Sequence, residues 1–174
     1  MVCRILAVLL LNSCLAYSQA SNGKAGIFST KVMPSLKALI LALAPTAKIS
    51  EGRDGDSTNL TCQWSDVTVR LTIKPHWDGR VERDGMKNWI SGFPAEDKNN
   101  PAVISLLHRI DSTVDCVGSV TTPRYDSAGK AASLILGLAA SLDGYVFSKL
   151  SFYDLAGARI IGVSGAPLNL KDQN

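Results

Sequence analysis

Leu60-Thr61-Cys62-Gln63-Trp64-Ser65-Asp66-Val67-Thr68-Val69-Arg70-Leu71-Thr72-Ile73 is the stretch on which the fold turns. Its apolar residues recur at every second position, Leu60, Cys62 and Trp64 before Ser65-Asp66, then Val67, Val69, Leu71 and Ile73 after it. Successive side chains of a strand point to opposite faces, so this spacing predicts an antiparallel hairpin with one buried and one wet side, the wet side carrying Thr68, Arg70, Thr72 and Lys74. A two-residue turn pairs Trp64 with Val67, Cys62 with Val69 and Leu60 with Leu71, which points the Cys62 thiol into the core. Pro75 ends the second strand because it has no N–H for the ladder.

On the N-terminal side the period becomes helical. Leu36, Leu39, Ile40 and Leu43 fall at i, i+3, i+4 and i+7 between Pro34 and Pro45, which predicts a helix over 34–44. Residues 50–58 are turn formers or charged and read as an exposed loop, and residues 21–31 are small and polar and read as a flexible spacer. On the C-terminal side, Asp84-Gly85 opens a helix carrying Met86, Trp89, Ile90 and Phe93, and Glu96-Asp97-Lys98-Asn99 reads as a loop. Asn100-Pro101 then supplies a cap and a first-turn proline for a helix bearing Val103, Ile104, Leu107 and Ile110. A strand over 112–120 puts Val114, Cys116 and Val120 on one face, weakened by Gly118. Asp126-Ser127 can cap a long helix whose stripe is Ala128, Ala131, Ile135, Leu138, Ala139 and Leu142, with Gly144 as a left-handed C-terminal cap. Short strands follow near 145–147 and 158–163, with Phe152 to Gly157 as the arm and turn of a hairpin between them.

This order predicts an α+β fold: a single two-layer domain over 32–164, with a mostly antiparallel sheet of about five strands and helices packed on one face. The strand at 112–120, the helix after it and the strand at 145 can form one βαβ unit. Residues 165–174 read as a disordered tail. At 174 residues with 46% hydrophobic and 19% charged content, the chain suits one domain with a real core, and excludes disordered and multi-span membrane classes.

The first twenty residues carry the clearest targeting signal. Arg4 precedes the apolar run Ile5–Leu11, and small residues follow to Ala20, the layout of a signal peptide over 1–20 with cleavage after Ser18 or Ala20. The run is too short for the ~20 apolar residues a transmembrane helix needs. Leu11-Asn12-Ser13-Cys14 is a degenerate lipoprotein box, so a lipid anchor on Cys14 is an alternative, disfavoured because Asn12 stands where a small residue belongs. The expected location is secreted or periplasmic. Without the leader, Lys and Arg fall from 18 to 17 against 15 Asp and Glu, and the dispersed charge has no patch for nucleic acid. Two cysteines remain, Cys62 and Cys116, both on core-facing strand positions in an oxidising compartment. A disulfide between them is expected, stabilising by roughly 2 to 4 kcal/mol, against the alternative of two buried thiols.

Familiar catalytic and cofactor motifs are missing. The chain has no Gly-x-Ser-x-Gly elbow, phosphate loop, dinucleotide fingerprint or calcium loop, so no cofactor and no metal site is expected. Of its two histidines, His108 lies beside an apolar helix stripe, while His76 follows a strand end with Trp77, Asp78 and Glu82 nearby. Trp77 is a candidate ligand platform, whereas Trp64 and Trp89 sit at core positions. Asn59-Leu60-Thr61 matches a glycosylation sequon. Two functional readings follow: an exported, non-enzymatic domain that binds a protein, peptide or envelope component, and a small secreted hydrolase using His76 with the carboxylates of Asp78 and Glu82. The first is favoured by the missing catalytic motifs.

Overall fold

A computed structural model describes residues 24–33, 35–74, 78–121 and 129–163. Among these the chain forms, in order, β1 (Lys24–Ser29), α1 (Leu36–Leu43), β2 (Lys48–Asp54), β3 (Ser57–Gln63), β4 (Thr68–Ile73), α2 (Gly79–Ser91), the single turn α3 (Ala95–Lys98), α4 (Pro101–Asp111), β5 (Asp115–Thr121), α5 (Lys130–Ser141), β6 (Tyr145–Ser148), β7 (Ser151–Tyr153) and β8 (Arg159–Gly162). The strands make one sheet in the order β2-β3-β4-β5-β1-β6-β7-β8, with every neighbouring pair antiparallel. The α+β class and the mostly antiparallel sheet therefore hold, with eight strands rather than about five.

The hairpin read from Leu60 to Ile73 forms in the expected register. Leu60 pairs with Leu71 and Cys62 with Val69, and the Trp64 amide donates to the Val67 carbonyl at 2.8 Å. Asp66 in the turn accepts a hydrogen bond from Lys130 at the start of α5, which holds the aspartate carboxyl below its ordinary range and ties the hairpin to that helix. The cap of α4 is also as expected, with Asn100 accepting from the Ala102 amide at 2.9 Å and Pro101 in the first turn. The Asp154 turn closes β7 on β8, its carboxylate accepting from the amides of Ala156 and Ala158.

Other elements differ from the sequence reading. Part of the spacer expected at 21–31 is β1, the strand between β5 and β6 near the middle of the sheet. Its signal is faint because Ala25 and Gly26 offer little apolar bulk and only Ile27 and Phe28 follow, although Ala25, Ile27 and Phe28 are all buried. The loop expected at 50–58 is the β2–β3 hairpin, turning at Gly55-Asp56 with Gly55 at φ +56. β2 is one edge of the sheet, and its charged, exposed residues protect that edge from pairing with other chains. The helix expected from Asp84 starts at Gly79, where Asp78 accepts from the Arg80 amide at 3.1 Å, and the loop at 96–99 contains the turn α3. At the end of α5 the left-handed residue is Asp143, at φ +50. Gly144 is there for space, since a Cβ on it would lie 1.8 Å from the Phe28 carbonyl oxygen.

The largest correction concerns layering, because the helices cover both faces of the sheet. On one face, here called side A, Ala25, Ile27, Leu60, Cys62, Val69, Leu71, Val117, Val120 and Val146 pack against Leu36 and Ile40 of α1 and against Ile135 and Leu138 of α5. On side B, Phe28, Cys116, Tyr145, Phe147, Phe152 and Ile161 pack against Met86 and Ile90 of α2 and against Val103, Leu106 and Ile110 of α4. The expected βαβ connection exists with a strand inserted. β5 and β6 both run antiparallel to β1, so they are parallel to each other across it, and α5 joins them. No described helix is long and apolar enough to cross a membrane.

Candidate functional site

Among the described residues, side B is covered over only part of its width. The residues that pack under α2 and α4 come from β1, β5, β6, β7 and β8, and none comes from β2, β3 or β4. Over those three strands and the end of β5 the same side carries polar residues in cross-strand rows. Ser50, Thr61, Arg70 and Thr121 form one row, Gly52, Asn59, Thr72 and Ser119 the next, and Lys48, Gln63 and Thr68 the row beyond. These residues are half-buried or exposed, and Thr72 donates to the Asn59 side-chain oxygen at 2.8 Å. The aliphatic stem of Lys74 crosses Gly118, 3.5 Å from where a Cβ would sit.

The electrostatics of this face are lopsided. Lys48, Arg70 and Lys74 stand against Asp54, and the exposed side chains of Arg70 and Lys48 make no hydrogen bond or ion pair among the described residues. The floor is stiff because the opposite side of the same strands is sealed: Leu60, Cys62, Val69 and Leu71 are each at most 2% exposed. The sequence marked half of this face as the wet side of one hairpin. Its union with Ser50 and Gly52 on β2 and with Ser119 and Thr121 on β5 depends on strand order and register.

Of the catalytic candidates, Asp78 and Glu82 fall within the described residues. His76 and Trp77 lie outside the described residues, as do Cys14, the signal peptide and the tail. Asp78 is the N-cap of α2 with its Oδ1 3.9 Å from Arg80 Nε, and Glu82 lies in the first turn of the same helix. His108 is exposed on α4. Among the described residues no group of three His, Cys, Asp or Glu side chains is placed to hold a metal ion.

Cys62 and Cys116 are held as thiols, and the expected disulfide is not formed. Both are buried on strands, but Cys62 lies on side A and Cys116 on side B. The cause is a β-bulge. Ala25 pairs with Val120 and Ile27 with Val117, so β5 has one residue more than β1 over this interval, at Gly118-Ser119. The extra residue reverses the alternation, and Cys116 and Val120, which share a face in an unbroken strand, end on opposite faces. Burial pushes the Cys62 thiol up to about 11. Compared with protein families, with curated proteins and with solved structures, the chain matches none.

Proposed function

We propose that the protein is exported and works as a non-enzymatic binding domain whose ligand is an acidic glycan chain of the cell envelope, held on the open half of side B. The observation that carries this reading is the pairing of two cations whose side chains have no partner among the described residues, Arg70 and Lys48, with rows of hydroxyl and amide groups on a stiff sheet. Hydroxyls and amides both donate and accept hydrogen bonds, which suits sugar hydroxyls, while the cations suit sugar carboxylates. Size argues for an extended ligand. Four strands about 4.8 Å apart and about 20 Å long offer roughly 300 Å², well under the ~800 Å² per partner of a stable protein interface. The layout of residues 1–20 supports export to the place where such a chain is found. The hydrolase alternative rests on His76, which lies outside the described residues, and of its carboxylates Asp78 caps α2.

Fluorescence anisotropy with labelled oligogalacturonate, neutral dextran and polyglutamate tests the reading. Binding to oligogalacturonate is expected to weaken with salt and to fall about tenfold in the double variant Arg70→Gln/Lys48→Gln, with an unchanged melting temperature. Equal binding to dextran, a preference for polyglutamate, or indifference to the double substitution sinks the glycan assignment. N-terminal sequencing of the exported form tests the leader, and an intact Met1 on a purely intracellular protein ends the export proposal.

A further inference from the structure

A second site lies away from the open face and does not depend on it. Between α4 and the β7–β8 turn is a cavity of about 140 Å³, partly open to solvent, walled by Ala102 and Leu106 of α4, Leu155 of the turn and Ile160 of β8. Ala102, Leu106 and Arg109 lie on one stripe of α4, and the small Ala102 leaves room for the cavity.

Two opposite charges line the same space, Arg109 and Asp154. Arg109 Nη1 donates to the Gly144 carbonyl at 2.9 Å and lies 3.6 Å from Asp143 Oδ1. Nε and Nη2 have no acceptor among the described residues, so part of the guanidinium fork is open to a ligand. Asp154 is fixed by its turn, with Oδ1 accepting from the amides of Ala156 and Ala158 at 2.9 and 2.8 Å. The pairing of Val146 with Tyr153 puts Asp154 across from Tyr145, next to the Gly144 that Arg109 holds. Both charges line the cavity, and the ion pair of Arg109 is with Asp143 rather than with Asp154.

We propose that this cavity binds a small zwitterion, a free aliphatic α-amino acid, with its side chain among Ala102, Leu106, Leu155 and Ile160, its carboxylate on Arg109 and its ammonium on Asp154. Charge selects the zwitterion. A simple carboxylate adds a third negative group around one cation, and a simple amine faces the guanidinium with nothing to offer it. Volume selects the side chain, since an apolar cavity of ~150 Å³ admits benzene and this one therefore takes a group of valine to leucine size.

The test is a titration of the full labelled chain with L-leucine, followed by amide NMR. Saturable shifts are expected at Ala102, Ser105, Arg109 and Leu155, with a Kd between ~10 μM and ~1 mM. N-acetyl-leucine, which lacks the ammonium, and leucinamide, which lacks the carboxylate, are each expected to bind at least about tenfold more weakly. Ser105→Phe, an exposed position on the cavity wall, is expected to abolish the shifts without lowering the melting temperature. Absence of saturable shifts at these residues overturns the site. Equal binding of the three ligands overturns the zwitterion, and both of these arms use the unaltered chain.

Discussion

Phe152 and Thr61 point to the same side of one sheet, yet Phe152 is sealed and Thr61 is half-buried beside Arg70. Around Phe152 the rings of Phe147, Trp89 and Tyr145 lie with centroids 4.6, 5.7 and 5.8 Å away, under α2 and α4. Around Thr61 there are hydroxyls, an amide and a guanidinium. The difference shows in the strands themselves. β6 and β7 are buried at every residue, as strands covered on both faces must be, whereas β4 alternates between buried residues and half-buried or exposed ones. A continuous apolar run such as Tyr145-Val146-Phe147 therefore signals helices on both faces, and alternation signals helices on one. One sheet contains both patterns, which makes one of its halves a core and the other a surface.

The contrast predicts a wide gap in mutational cost. Phe152→Ala is expected to destabilise by about 3–5 kcal/mol, from lost burial and the cavity left behind, while Thr61→Ala costs under about 0.5 kcal/mol. Urea denaturation of the two variants measures the gap, and similar costs would mean that the open half carries structural weight as well.

A smaller effect tests the seal beneath the open half. The Cys62 thiol has its pKa raised from 9.0 to about 11 by burial. The folded protein keeps this proton while the unfolded chain loses it, so stability is full below pH 9 and falls as pH rises toward 11, by about 1–3 kcal/mol. Cys62→Ala is expected to remove that part of the alkaline loss, as read from melts at pH 8 and pH 10.5. Alkylation of native protein at pH 8 should be slow at Cys62. Rapid alkylation there would mean that the strands under the open face breathe.

The smallest predicted effect sharpens the covered half. Ser148 pairs with Ser151 across a two-residue turn in which Lys149 and Leu150 have φ of +47 and +55. Such turns favour Asn-Gly because most side chains are strained at positive φ. Replacing Lys149-Leu150 by Asn-Gly is expected to raise stability by about 1 kcal/mol. A fall instead would show that the exposed Leu150, 41% accessible, makes contacts beyond its own turn.

Legibility followed the range of the interactions involved. The β3–β4 register, the Asn100-Pro101 start of α4 and the Asp154 turn depend on residues within a few positions of one another, and all three were readable. The open face was half readable, as Thr68, Arg70, Thr72 and Lys74. The cavity was not readable, since α4, the start of β6 and the β7–β8 turn are brought together only by folding. Its nearest local signal was Ala102 and Leu106 on one stripe with Arg109.

Period-two and period-3.6 patterning, caps and turn chemistry were enough to specify the α+β class, the central hairpin and most helices, because each is decided by which way neighbouring side chains point along a single element. Strand order, coverage of both faces and the failure of Cys62 and Cys116 to meet were decided only in the tertiary structure. β1 owes its place to β5 and β6, which lie on either side of it and far from it in sequence. The cysteines owe their separation to one extra residue beside Gly118, visible only when β5 is laid against β1, because a strand's alternation sets relative faces only while its pairing is unbroken.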